Sequence, residues 1–290
     1  MSTMVRPEIG AVNEDWIIPL TAVAPDMLSL IEQGSAGLAR AQKVVAQAEK
    51  SIRLDAVHLL APIPTPRRNI MCLGKNYAEH AREAFEARGE KVEIPEEFPV
   101  IFTKATTSIN GPYDDIPVDT TVSTFMDYES ELAIVIGRSG RNIAPDEAMP
   151  YVFGYMVLND VTARDIQVRH KQFFKGKSLD GCCPVGPWIV TADEIPDPHT
   201  LSITCHVNGE LRQESTTAEM IFDIPATIAH LSNGMTLLPG DIVATGTPSG
   251  VGFAQQPPVF LQPGDEWNAV WSQSAQFAIE LWPIPQDRAF

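Results

Sequence analysis

Cysteine is scarce in this chain, four in 290 residues, and none of Cys72, Cys182, Cys183 and Cys205 forms a C-x-x-C pair. That excludes a disulfide framework. No lysine or histidine motif marks adjacent Cys182 and Cys183 as activated thiols, so both read as small buried hydrophobes. His58, His170, His199, His206 and His230 form no H-x-H or H-x-x-x-H spacing, which argues against a zinc site. Cations are outnumbered, 21 Lys and Arg against 37 Asp and Glu, for a net charge of −16. A duplex or an anionic membrane would repel such a chain, so neither nucleic acid nor a membrane is an expected partner. No apolar run approaches the ~18 residues of a spanning helix. The amino terminus lacks the apolar stretch of a signal peptide, and a reducing cytoplasm is the expected compartment. No period recurs, so repeat arrays are excluded. Lys171 stands where a phosphate-binding G-x-x-x-x-G-K-[ST] loop needs glycine.

What is present is an ordinary globular profile, 44% hydrophobic and 20% charged, with a mean hydropathy of −0.04. The 24 prolines suggest many turns and strand ends, hence a β-rich fold. Residues 1–65 read as a small amino-terminal domain: a short strand at Trp16–Leu20, then a helical stretch from Pro25 to about Ser51 that Gly34 and Gly37 interrupt. Proline-rich Ala61–Pro66 reads as a linker, and residues 66–290 as the larger domain. There a helix is predicted over Tyr77–Arg88, ended by Gly89. Strands are predicted over 100–104, 131–136, 151–158, 188–190, 201–207, 241–245 and within 267–281, with a hairpin turn at Asn208-Gly209. The fold class expected is α+β and β-dominated, closed or rolled.

Several groupings suggest chemistry. Asp127, Glu129 and Glu131 alternate into an apolar strand, which places them side by side on one face. Three such carboxylates either form a solvated edge face or hold a hard divalent cation. Asp160 follows an apolar strand and reads either as a helix cap or as a site residue. His80 and Glu83 share a helix face, as an exposed pair or as an imidazole oriented by a carboxylate for general-base work. Lys177 lies in a basic turn and could neutralise an oxyanion. The glycine-rich run Thr245–Gly252 could cradle an anion on its amides, or simply join strands.

In order along the chain, LGKNYAEHARE, FTKATTSINGP, DYESELAIVIG, GYMVLNDVTARDIQ, GKSLDGCCPVGPWIV, VNGELRQ and DIVATGTPSGVG span about residues 70–253. This ordered set resembles the fumarylacetoacetate hydrolase superfamily. The resemblance implies a mixed β-roll or barrel catalytic domain, homodimeric, preceded here by the small amino-terminal α/β domain. It implies Glu129, Glu131 and Asp160 as ligands of Mg²⁺ or Mn²⁺, with Asp127 outside the ligand set. It implies His80 with Glu83 as a water-activating dyad, Lys177 beside the metal, and Thr247 and Gln167 as contacts to a small anionic keto-acid substrate. Three carboxylates, a divalent ion and Lys177 cancel in formal charge. The activity expected is a metal-dependent hydrolase that cleaves a C–C bond of an acylpyruvate or diketo acid through an enolate. The alternatives are a decarboxylase or isomerase of oxo- or hydroxy-dienedioates in aromatic catabolism, which uses the same enolate, and a catalytically silent binding protein, against which the intact site argues.

Overall fold

The computed structural model describes residues 7–49, 51–271 and 277–283. Residues 1–6 of the expected amino-terminal domain and 272–276 of the expected strand region 267–281 lie outside them. The fold is β-dominated α+β, as the composition suggested. Its centre is a seven-stranded mixed sheet in the order Val100–Lys104, Ile70–Gly74, Ile242–Ala244, Ser130–Ile136, Val152–Asn159, Cys183–Thr191, Ile109–Asn110. Val152–Asn159 and Ser130–Ile136 are buried along their whole length, which is why they read as apolar runs rather than alternating strands.

A second sheet of five strands, in the order Glu210–Thr216, Ser202–Val207, Glu266–Trp271, Phe277–Pro283, Ile116–Val118, packs near it. Ile134, Val157, Ile203, Cys205 and Trp267 meet in the core between these layers, each at most 1% exposed. The hairpin Ser202–Val207 to Glu210–Thr216 turns at Asn208 and Gly209, both in the left-handed region (φ 53 and 77), as the Asn-Gly pair predicts.

Near the amino terminus, Gly10–Asn13, Trp16–Pro19 and Ile52–Arg53 form a separate three-stranded sheet. Helices Met27–Glu32 and Gly34–Gln47 follow the first two strands. Gly34 breaks the helical stretch through its positive φ of 56. Gly37 does not interrupt it, contrary to expectation: it lies buried inside the second helix, where its lack of a side chain lets Gln33 and the Leu30 carbonyl approach. Ile31 is fully buried in the core of the seven-stranded sheet, so this unit docks on the larger one.

Candidate active site

The strand Ser130–Ile136 and the end of Val152–Asn159 lie side by side in register, with Glu131 opposite Leu158 and Ser130 opposite Asn159. This register brings the start of one strand to the end of the other. Glu129, Glu131 and Asp160 converge there, with one oxygen of each within 4.8 Å of the others. All three are buried. The Glu129 amide donates to Asn159 Oδ1 (3.0 Å) and the Asp160 amide to the Glu129 carbonyl (2.8 Å), so the backbone at the junction is fixed.

Asp127 does not point the same way as the other two. The chain leaves the strand path at Tyr128–Glu129, because Met126–Asp127 pairs instead with Thr162–Ala163. Asp127 accepts from Arg164 Nε (2.8 Å) and from the Gly252 and Phe253 amides (2.7 and 3.1 Å). The side-by-side trio drawn from alternation alone is thus a pair plus Asp160.

The carboxylates are matched by buried cations. Lys177 Nζ lies 2.6 Å from both Glu129 Oε2 and Asp160 Oδ2. Lys104 Nζ donates to Asp160 Oδ1 (2.8 Å) from the other side. Arg164 Nη1 reaches Glu129 Oε1 (2.7 Å). Lys104 and Arg164 were not singled out from the sequence. The only signal for Lys104 was a lysine closing an otherwise apolar strand. Burial pushes the Glu129 carboxyl up, but Lys177 and Arg164 outweigh it and hold the group down at about 2. Glu131 behaves oppositely: burial raises it well above the usual carboxylate range, and the charges of Asp160 and Glu129 add to this.

His80 sits on helix Ala78–Glu86, buried at 6% exposure, with Nδ1 2.9 Å from Glu83 Oε1. Glu83 is itself held by the Gly250 amide (2.9 Å). The pair is therefore an anchored dyad and not a solvated helix face. His80, Glu129, Gln167, Lys177 and Thr247 line one open cleft of about 390 Å³. The Thr247 hydroxyl donates to the Ser130 carbonyl (3.0 Å) and accepts from Gln213 Nε2 (2.8 Å), and Gln167 Oε1 takes a long contact from Arg164 (3.4 Å).

The glycine-rich run 245–252 does cradle anions, and they are the protein's own. Its amides at Gly246, Gly250 and Gly252 bind Glu131, Glu83 and Asp127. A Cβ at Gly252 would stand 2.0 Å from the Val259 carbonyl and 2.7 Å from Asp127, so only glycine lets that amide reach the carboxylate. Burial pushes the Cys182 and Cys183 thiols up to about 11 and 12, which leaves both unreactive.

The carboxylate cluster fits a hard divalent cation. Its donors are all oxygens, and Glu131 Oε1 is a buried acceptor with no partner among the described residues. Among the described residues no helix is long and apolar enough to cross a membrane.

Comparison with known proteins places this geometry. Oxaloacetate tautomerase YisK of Bacillus subtilis (strain 168) is 45% identical over 261 residues, covering 87% of this chain and 85% of the relative. Oxaloacetate tautomerase Fahd2a, mitochondrial, of Rattus norvegicus is 44% identical over 246 residues, covering 84% and 76%. Maleylpyruvate hydrolase from Sphingobium sp. SYK-6, solved in complex with manganese(II) ion and pyruvate, superposes with a TM-score of 0.78 at 33% identity, over 96% of this chain and 97% of that one. The expectation of a C–C hydrolase is overturned by the tautomerases, which are more similar in sequence than the hydrolase and catalyse an isomerisation. The expected alternative, an isomerase, fits better. The physical reason is that an enolate needs only proton transfer to form and collapse, and the same groups serve both outcomes. Residues 69–277 match the family described as fumarylacetoacetate (FAA) hydrolase C-terminal, and the chain is an enzyme of the fumarylacetoacetate hydrolase family.

Proposed function

We propose that this enzyme interconverts the keto and enol forms of a small 2-oxo acid, with oxaloacetate the first candidate. The observation that carries the reading is that His80, anchored by Glu83, lines the same cleft as Glu129 and Lys177. The tautomerase relatives support it. The manganese and pyruvate held by the maleylpyruvate hydrolase support a 2-oxo-acid head group beside a metal.

Glu129, Glu131 and Asp160 hold Mg²⁺ or Mn²⁺ in this reading. The bound cation would polarise the 2-oxo group and acidify the adjacent C–H. With Nδ1 engaged by Glu83, His80 offers Nε2 to take the proton from that carbon and to return it in the reverse direction. Glu83, fixed by the Gly250 amide, orients the ring. Lys177 places an ammonium beside the developing enolate oxygen and hands it the proton that completes the enol, taking one back in the reverse direction, while solvent balances the proton gained by His80 against that lost by Lys177. Gln167 and Thr247 line the cleft as contacts for the substrate carboxylate, Gln167 through its amide donor and Thr247 by turning its hydroxyl from the Ser130 carbonyl to the substrate. Water is not consumed, which separates this scheme from hydrolysis.

The same reading takes the protein as a cytoplasmic homodimer that binds neither nucleic acid nor membrane, with residues 1–65 a small separate domain. In support, the amino-terminal strands pair only among themselves among the described residues.

The decisive assay follows the ultraviolet absorbance of enol-oxaloacetate as it relaxes to the keto form in buffer with Mg²⁺. The protein is expected to speed that relaxation in proportion to its concentration. Relaxation no faster than in buffer with Mg²⁺ alone would remove the proposal.

A further inference from the structure

The cleft holds more positive charge than the proton chemistry uses. Lys75, Arg88, Arg164 and Lys177 all line it. Lys177 and Arg164 face carboxylates of the inner site. Arg88 and Lys75 form no ion pair among the described residues. Lys75 Nζ rests 3.6 Å from the centre of the Phe85 ring, and the Arg88 guanidinium 5.8 Å from that of Phe253. The Arg164 guanidinium lies 4.3 Å from the same Phe253 ring, so two guanidinium groups are gathered round one aromatic. Arg164 Nη2 is a buried donor with no partner among the described residues.

Arg88 follows the end of helix Ala78–Glu86, where a cation complements the helix dipole. That alone would favour a side chain directed to solvent near the last carbonyls. Instead it lines the cleft. Partial burial depresses both Arg88 and Lys75, and each is lowered further by a neighbouring cation, Arg88 by Arg164 and Lys75 by Arg88, which nearby Glu90 offsets only in part. Unpaired cations that repel one another, in a chain of net charge −16, call for an anion from outside.

Resting on the tautomerase reading, we propose that Arg88, with Lys75 and Nη2 of Arg164, binds the distal carboxylate of a 2-oxo dicarboxylate whose head group occupies the inner site. Specificity follows from what a monocarboxylate leaves undone: it fills the inner site but leaves these donors unmatched.

The test compares oxaloacetate with its 4-methyl ester, which keeps the head group and removes only the distal charge. Wild type is expected to show the higher kcat/KM on oxaloacetate. R88Q is expected to shrink the ratio of the two kcat/KM values about 10-fold, the loss of one charge-assisted hydrogen bond, and mainly through KM. Arg88 is largely exposed, so the substitution leaves the core intact. R82Q is the control. Arg82 is on the same helix, paired with Glu79 and outside the cleft, and its ratio is expected to stay at the wild-type value. An unchanged ratio in R88Q overturns the subsite, as does an equal fall in R82Q, which would make the effect one of general surface charge. If wild type accelerates neither tautomerisation, the functional reading fails and the subsite is judged by binding. Calorimetry with Mn²⁺ then compares N-oxalylglycine with its methyl ester. A preference for the dianion that shrinks in R88Q supports the subsite, and a preference that is absent or unchanged overturns it.

Discussion

Glu131→Gln separates a metal-binding carboxylate from a structural one. Glu131 is 1% exposed; its Oε2 accepts the Gly246 amide at 2.7 Å and its Oε1 has no partner. The ligand atoms of Glu129 and Asp160 lie within 4.8 Å. A buried acceptor left unmade costs ~1–3 kcal/mol. Gln keeps an oxygen for Gly246 and turns an amide donor toward the neighbouring carboxylates. Without metal, E131Q should therefore be more stable than wild type by about 1–3 kcal/mol, a rise in the melting midpoint of about 2–12 °C at ~2–4 °C per kcal/mol. With metal the order reverses. Mg²⁺ or Mn²⁺ at ~100 times its Kd adds ~2.7 kcal/mol to wild type, and E131Q should lose most of that gain.

The same residue sets a pH dependence. Its folded pKa is raised above the ordinary 4.5, so between that value and the raised one the folded state holds a proton that the unfolded state has lost. Glu131 therefore makes metal-free wild type less stable as pH rises above about 4.5. E131Q should lack that slope. Thermal melts of both proteins over this window, with and without metal, check the argument. A metal-free E131Q that melts below wild type, or one that retains the full metal shift, would refute it.

The remaining predictions concern the groups around that centre. H80Q should lower tautomerisation kcat by ~10²–10⁴ with little change in melting midpoint, and E83Q should act in the same direction while keeping its bond to the Gly250 amide; stopped-flow absorbance checks both, and near wild-type turnover would contradict the dyad. K104M removes the partner that holds Asp160 at 2.8 Å and should destabilise the metal-free protein by roughly 3–5 kcal/mol in denaturant titration. A loss under about 1 kcal/mol would show that Lys177 alone balances Asp160. N76A deletes bonds to the Phe222 and Thr245 carbonyls (3.0 and 2.7 Å) and from the Phe222 amide (2.8 Å), and should cost roughly 2–4 kcal/mol by the same measurement.

What spacing alone could read was whatever lies close along the chain, and only the family resemblance joined Asp160, Lys177 and Thr247 to it. Glu129 and Glu131 are two apart, His80 and Glu83 three apart, and strand and helix periods place each pair correctly. Asp127 obeys the same spacing, but its two-residue strand pairs with Thr162–Ala163, a partner no local pattern reveals. The buried cations depend on tertiary placement too. Lys104 is 56 residues before Asp160 and Arg164 is 37 after Asp127, so each reaches its carboxylate only once the strands have assembled. This changes the electrostatic account. The sequence reading balanced three carboxylates with one ion and Lys177. The assembled centre buries four carboxylates, Asp127, Glu129, Glu131 and Asp160, against three cations, Lys104, Arg164 and Lys177. With the raised Glu131 holding its proton the bare centre is neutral, and with Glu131 ionised around a divalent ion it carries one net positive charge. A metal-loaded centre of that sign attracts a carboxylate head group and favours the enolate over the keto form, whereas the neutral bare centre offers neither attraction. On the proposed reading the ion would help to admit the substrate as well as to acidify it, and metal removal should be felt in substrate binding as well as in turnover.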